Sequence, residues 1–108
     1  MADPRGTDLF TPLLAILDNV APGAGQALIS APGAGKSIVI DDVVISVGTA
    51  AATVKLNNTG LPTFNMGING NLAFQDIRAK VAVNTAVTMT SVGATSTTSV
   101  AVRYHIEG

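Results

Sequence analysis

The chain has no cysteine and no tryptophan, and its 108 residues include one histidine, three phenylalanines and one tyrosine. Without cysteine there are no disulfides, thiolate zinc sites or thiol nucleophiles. Charge is also scarce, at 12% of residues, against roughly a quarter in ordinary globular domains. Six cations and seven acids leave a formal net charge of −1. No basic excess exists to neutralise phosphates, so nucleic-acid binding is not expected. No apolar run approaches the ~18 residues of a membrane span. Asp3 and Asp8 flank Arg5, and Pro12 breaks the next apolar stretch, so no signal peptide is expected.

The residues present in quantity are aliphatic. Hydrophobic residues make up 47%, mostly Ala, Val, Ile and Leu, which suits a globular protein rather than a disordered one. The length fits one domain. A chain of this size buries about two-thirds of its unfolded surface. A surface so poor in charge must be covered by Thr, Ser, Asn and Gly, or by other protein. Large uncovered apolar areas are a liability, and this favours an assembly over a free monomer.

Residues 1–8 read as a polar arm. Residues 9–20, LFTPLLAILDNV, have two readings. In one, Thr11 caps a short helix with Pro12 at its first position, and Phe10, Leu13, Leu14 and Leu17 share a face. In the other, the segment is an apolar extended arm docked on a neighbour. APGAG then occurs twice, at Ala21–Gly25 and Ala31–Gly35. Pro-Gly marks turns, and Gln26–Ser30 between them suits a short strand.

Lys36–Val47, KSIVIDDVVISV, is rich in β-branched residues and reads as a bent strand. Strict alternation would put Ile38 and Ile40 on one face and Val43, Ile45 and Val47 on the other. A one-residue bulge at Asp41-Asp42 puts all five on the core side. Ala52, Val54 and Leu56 alternate in a further half-buried strand. Short strands are expected near Thr63–Met66 and Leu72–Gln75. Lys80–Thr90 reads as the clearest strand, with Val81, Val83, Val87 and Met89 pointing one way. A turn at Val92–Ser96 precedes a closing strand, Thr97–Ile106, with Val100, Val102, Tyr104 and Ile106 inward and Arg103, His105 and Glu107 outward. Short strands separated by Gly, Pro and Asn turns predict an all-β protein. The expected architecture is a single antiparallel β-sandwich, jelly-roll-like, over 21–108, with a short apolar arm or helix over 1–20.

The string SAPGAGKS, Ser30–Ser37, imitates a phosphate-binding loop. Its end matches, but the first Gly of G-x-x-x-x-G-K-[ST] is Ser30. The mechanism also needs a helix beginning at the Lys, and the run after Lys36 is strand-forming. We read it as a turn. Asp41 and Asp42 are neighbours, and on a regular strand they point to opposite faces, so they jointly line a site only if the bulge redirects one of them. His105 is two residues from Glu107, but without a second ligand or a nucleophile turn nearby it suggests neither metal binding nor catalysis. Arg78 and Lys80 form a small basic spot: ordinary surface charge paired with Asp76, or contacts to an acidic partner. The Thr/Ser-rich segment Thr88–Val100 lacks the aromatic platform that sugar sites use, and β-propensity accounts for it. No catalytic, cofactor-binding or metal-binding residue is assigned.

Three stretches carry a family resemblance: Gly35-Lys36-Ser37-Ile38-Val39-Ile40, Ala50-Ala51-Ala52-Thr53-Val54-Lys55-Leu56, and Val100-Ala101-Val102-Arg103-Tyr104-His105-Ile106-Glu107. The pattern, over roughly 26–107, resembles small tailed-bacteriophage virion proteins of the head-decoration, or cement, type. Residues 61–78 depart from it in being short and thin in Gly. The resemblance implies a non-enzymatic structural protein on the capsid exterior, partnered by the major capsid protein and by itself, as a homo-oligomer with a trimer favoured. Phe10, Leu13, Leu14, Leu17, Arg78 and Lys80 are the expected contact residues. The alternative is a receptor- or glycan-binding head or tail fibre module.

Overall fold

The computed structural model describes residues 12–93 and 97–108. These hold nine strands and no helix: β1 Leu13–Val20, β2 Gly23–Ile29, β3 Ser37–Val47, β4 Ala52–Asn57, β5 Phe64–Met66, β6 Asn71–Phe74, β7 Ala79–Lys80, β8 Val87–Val92 and β9 Thr98–Glu107. One sheet has the order β1-β9-β3-β6, with β7 also on β3, and the other has the order β2-β8-β4-β5. All pairings are antiparallel. Because β6 and β7 lie on the same edge of β3, they are one interrupted strand. Counted so, the orders become 1-8-3-6 and 2-7-4-5, the topology of an eight-stranded jelly roll.

β3 organises the molecule. Its register against β9 shifts between Ile40 and Asp42, leaving Asp41 as the extra residue. The expected bulge is therefore present. It turns Ile38, Ile40, Val43, Ile45 and Val47 all into the core. Val54 and Leu56 of β4, Val87 and Met89 of β8, and Val100 and Val102 of β9 complete that core. Each such side chain contributes roughly 1.5–3 kcal/mol by leaving water. Phe64 of β5 and Phe74 of β6 stack across one open side of the sandwich, ring centroids 5.3 Å apart.

Residues 13–20 form an extended strand, β1, not a helix, and they pair with β9 of the same chain. The expected face of Leu13, Leu14 and Leu17 does not form. Leu17 packs against the core with Ala15, while Leu14 and Ile16 are exposed. The tertiary ladder outweighs a weak local helix preference. Phe10 lies outside the described residues.

The two APGAG copies differ in structure. The second is the turn into β3, with Gly33 and Gly35 at φ 110° and 74° and Lys36 N donating to Gly33 O at 3.2 Å. The first is not a free turn: Gly23–Gly25 already belong to β2, whose register against β8 shifts between Gly23 and Gln26.

The expected single strand at 80–90 is two elements. Val81 is buried, and its N–H donates to Ile38 O at 2.8 Å. The chain then turns at Asn84, φ 51°, and crosses to the other sheet. Asn84 N donates to Lys36 O, and Asn84 Oδ1 accepts from Gly33 N at 3.0 Å. Val83, expected on the same face as Val81, is exposed where Val81 is buried. Asn tolerates the left-handed conformation that such a crossing needs. The expected 92–96 turn falls partly on 94–96, outside the described residues.

Candidate docking face and charged cleft

The outer face of the β1-β9-β3-β6 sheet carries the unusual surface chemistry. Register places Ile16 opposite Ala101, Ala101 opposite Val44, and Val44 opposite Ala73. All four side chains point away from the core, making one apolar row across four strands, about 14 Å long at the usual strand spacing. Ile16 and Val44 keep 58% and 49% of their surface in water, and Leu14 beside them keeps 62%. On one side the row meets Ser99, Ser46 and Asn71. On the other it meets Arg103 and Asp42, which face each other across β9 and β3.

Beyond Arg103 and Asp42 the face becomes a charged cleft of about 850 Å³. The bulge makes this cleft, because Asp41 and Asp42 both line it, which a regular strand forbids. Asp41 Oδ2 lies 2.7 Å from His105 Nδ1, and Glu107 Oε2 lies 3.1 Å from His105 Nε2. The edge strand is interrupted opposite the bulge. There Ile77 N donates to Asp41 O, and Asp76 N donates to Asp42 Oδ1 at 2.9 Å. Asp76 and Arg78 both adopt positive φ, 55° and 53°, on either side of Ile77, which packs against the core. Non-glycine residues in this region carry backbone strain.

His105 is partly buried, which disfavours its charge. The hydrogen bonds it donates to Asp41 and Glu107, together with their negative charges, outweigh that cost and raise its pKa above the ordinary 6.5. The same contact from His105 holds Glu107 below its ordinary 4.5, with Lys80 acting in the same direction.

Chemically, this arrangement stores and pairs charge. Both imidazole nitrogens face carboxylates, and the residues lining the cleft include no Ser, Thr or Cys nucleophile. The two carboxylates sit on opposite sides of the ring. No group of three His, Cys, Asp or Glu among the described residues is placed to hold a metal ion.

Arg78 and Lys80 both line the cleft. Arg78 lies in the interruption between β6 and β7, not on a strand, and pairs with Asp76 at 3.0 Å; Lys80 pairs with Glu107 at 3.5 Å. Leu14 lies on the outer face and Leu17 against the core. Ile16, Val44 and Arg103 belong to this face and are not among the expected contact residues, although Arg103 reads as outward from the sequence. The period-two alternation in LLAIL is the signal for Ile16; for Val44 it is the bulge itself, which brings Val43 and Ile45 inward and so leaves Val44 outward. Lys36 is exposed in its turn and Ser37 begins β3, so no helix terminus stands where a phosphate would sit.

A scan against models of known protein families finds no match, and neither does a search of curated proteins.

Proposed function

We propose that this protein is a non-enzymatic virion structural protein of the capsid-decoration (cement) type. It binds the outer surface formed by the major capsid protein through the outer face of the β1-β9-β3-β6 sheet. The observation that carries this reading is the exposed apolar row Ile16–Ala101–Val44–Ala73, set directly beside a cleft of mixed charge. Apolar patches rimmed by polar groups mark protein-binding surfaces. The low charge of the whole chain and the resemblance over 26–107 support the same reading. A jelly roll is compatible with it, but a fold alone does not name a function. Many weak contacts repeated over a lattice become strong together. Self-association as a trimer fits placement at symmetry points.

The test is co-sedimentation of the purified protein with capsids that lack it. Saturable, stoichiometric binding that Val44→Asp abolishes is expected. Absence of capsid binding, with binding to a host glycan instead, overturns the reading in favour of a receptor-binding module.

A further inference from the structure

We propose that the cleft beside His105 binds the carboxylates of an acidic peptide segment, with the neighbouring apolar row taking that segment's hydrophobic side chains. This rests on the docking role above and names the chemistry of the partner surface.

The charges of the chain are concentrated here and divided by depth. Asp41, Asp42 and Glu107 keep only 27–37% of their side chains exposed, whereas Arg78, Lys80 and Arg103 keep 62–76%. The deeper acids are engaged from within the cleft. Asp41 and Glu107 hold the two sides of His105, and Asp42 accepts from the Asp76 amide. The cationic heads stand at the rim. Their links to the acids below are long, 3.5 Å for Lys80–Glu107 and 3.7 Å for Arg103–Asp42. Such exposed pairs are weak. An incoming carboxylate that meets a guanidinium at closer, bidentate geometry competes well with them. Asp76 is the exposed acid, and it is already paired with Arg78.

The same charges exclude a polyanion. With His105 protonated, its charge and those of Arg78, Lys80 and Arg103 balance Asp41, Asp42, Asp76 and Glu107. A phosphate chain would meet those four carboxylates. One or two separated carboxylates can reach the rim without doing so. The Arg103–Asp42 row also lies only about 7 Å along the strands from the Ala101–Val44 row. A segment with acidic and aliphatic residues side by side covers both.

The cleft loses one positive charge when His105 deprotonates. The groups facing that change are Asp41 and Asp42 on β3, Glu107 and Arg103 on β9, Lys80 on β7, and Asp76 and Arg78 before β7. Binding of an acidic segment therefore weakens as pH rises through the His105 titration.

The experiment uses the full chain, isotope-labelled, titrated in an NMR tube with a synthetic peptide bearing two glutamates next to leucines. A matched peptide with lysines in place of the glutamates is the control. Shifts at Arg78, Lys80, Arg103 and Val44 are expected with the glutamate peptide only. A drop in affinity of about tenfold or more is expected for the double variant Arg78→Gln/Arg103→Gln, whose own spectrum reports whether it is folded. Equal binding of the lysine peptide, shifts confined to another face, or no shifts at all overturns the proposal. If the peptide fails while capsids still bind, the docking role stands and the acidic segment is wrong. If the peptide binds and capsids do not, the reverse holds.

Discussion

His105 Nδ1 lies 2.7 Å from Asp41 Oδ2, a contact between positions 64 residues apart that ties the closing strand to the one extra residue of the β3 bulge. The bulge thus has two effects. It keeps five aliphatic side chains on the core side, and it presents an acid to the ring of the only histidine. The neighbouring edge strand is interrupted at the same level, so the bulge, the strained Asp76–Arg78 segment and the cleft form one feature.

The first prediction concerns pH. His105 has a raised pKa in the folded protein, so its contribution to stability is complete below 6.5 and is lost as pH rises through the folded value. Glu107 has a lowered pKa, so its contribution is complete above 4.5 and is lost as pH falls through its depressed value. The cluster therefore stabilises most between pH 4.5 and 6.5. Urea midpoints measured across pH should peak there, and His105→Gln should flatten the profile. An unchanged profile in the variant contradicts the assignment.

Removing the acid of the bulge should act on the same ring. Asp41→Ala keeps the backbone carbonyl that accepts from Ile77 N but loses the contact to His105. A loss of about 1–2 kcal/mol is expected, in the range for hydrogen bonds to charged groups at a partly exposed site. The NMR-measured pKa of His105 should fall at the same time. A His105 titration identical to wild type would show that the pair does not persist in solution.

Neighbouring aliphatic residues on β3 should differ sharply. Ile45 is fully buried and Val44 is half exposed on the outer face. Ile45→Ala is expected to cost about 2–5 kcal/mol. Val44→Ala should stay within about 1 kcal/mol. Equilibrium denaturation decides, and similar costs would mean the register is wrong.

In the Gly-Lys turn, stability should depend on the glycine, not the lysine. Gly35 has φ 74°, and a Cβ added there would have nothing within 4 Å, so Gly35→Ala meets backbone strain without a clash. About 1 kcal/mol of destabilisation is expected. Lys36→Ala should be close to neutral, and calorimetry with magnesium-ATP should show no binding to the wild-type chain. Tight binding abolished by Lys36→Ala would restore the phosphate-loop reading.

One buried hydroxyl offers a gain. Thr98 is fully buried, and its Oγ1 has no hydrogen-bond partner among the described residues. Thr98→Val keeps the branched shape and removes an unsatisfied polar atom. An increase of about 1 kcal/mol in unfolding free energy is expected. A decrease would reveal a partner for that hydroxyl.

Much of the jelly roll was legible along the chain because its information is local. Alternation at Ala52–Leu56 and at Val100–Val102 reports one wet face and one dry face. The run of Ile38, Ile40, Val43, Ile45 and Val47 implies a bulge, because only an added residue brings all five inward. The absence of Cys and the scarcity of charge were equally plain. Tertiary structure decided the rest. Period two says that a strand has two faces, not which sheet it joins, so the crossing at Asn84 was invisible within 80–90. LLAIL fits a helix or a strand, and pairing with β9 settled it. The charged cleft draws on β3, β7, β9 and the segment before β7, and sequence spacing carries no record of which strands lie side by side. Asp41 and His105 meet because hydrogen-bonded register, a long-range property, sets them on adjacent strands of one face.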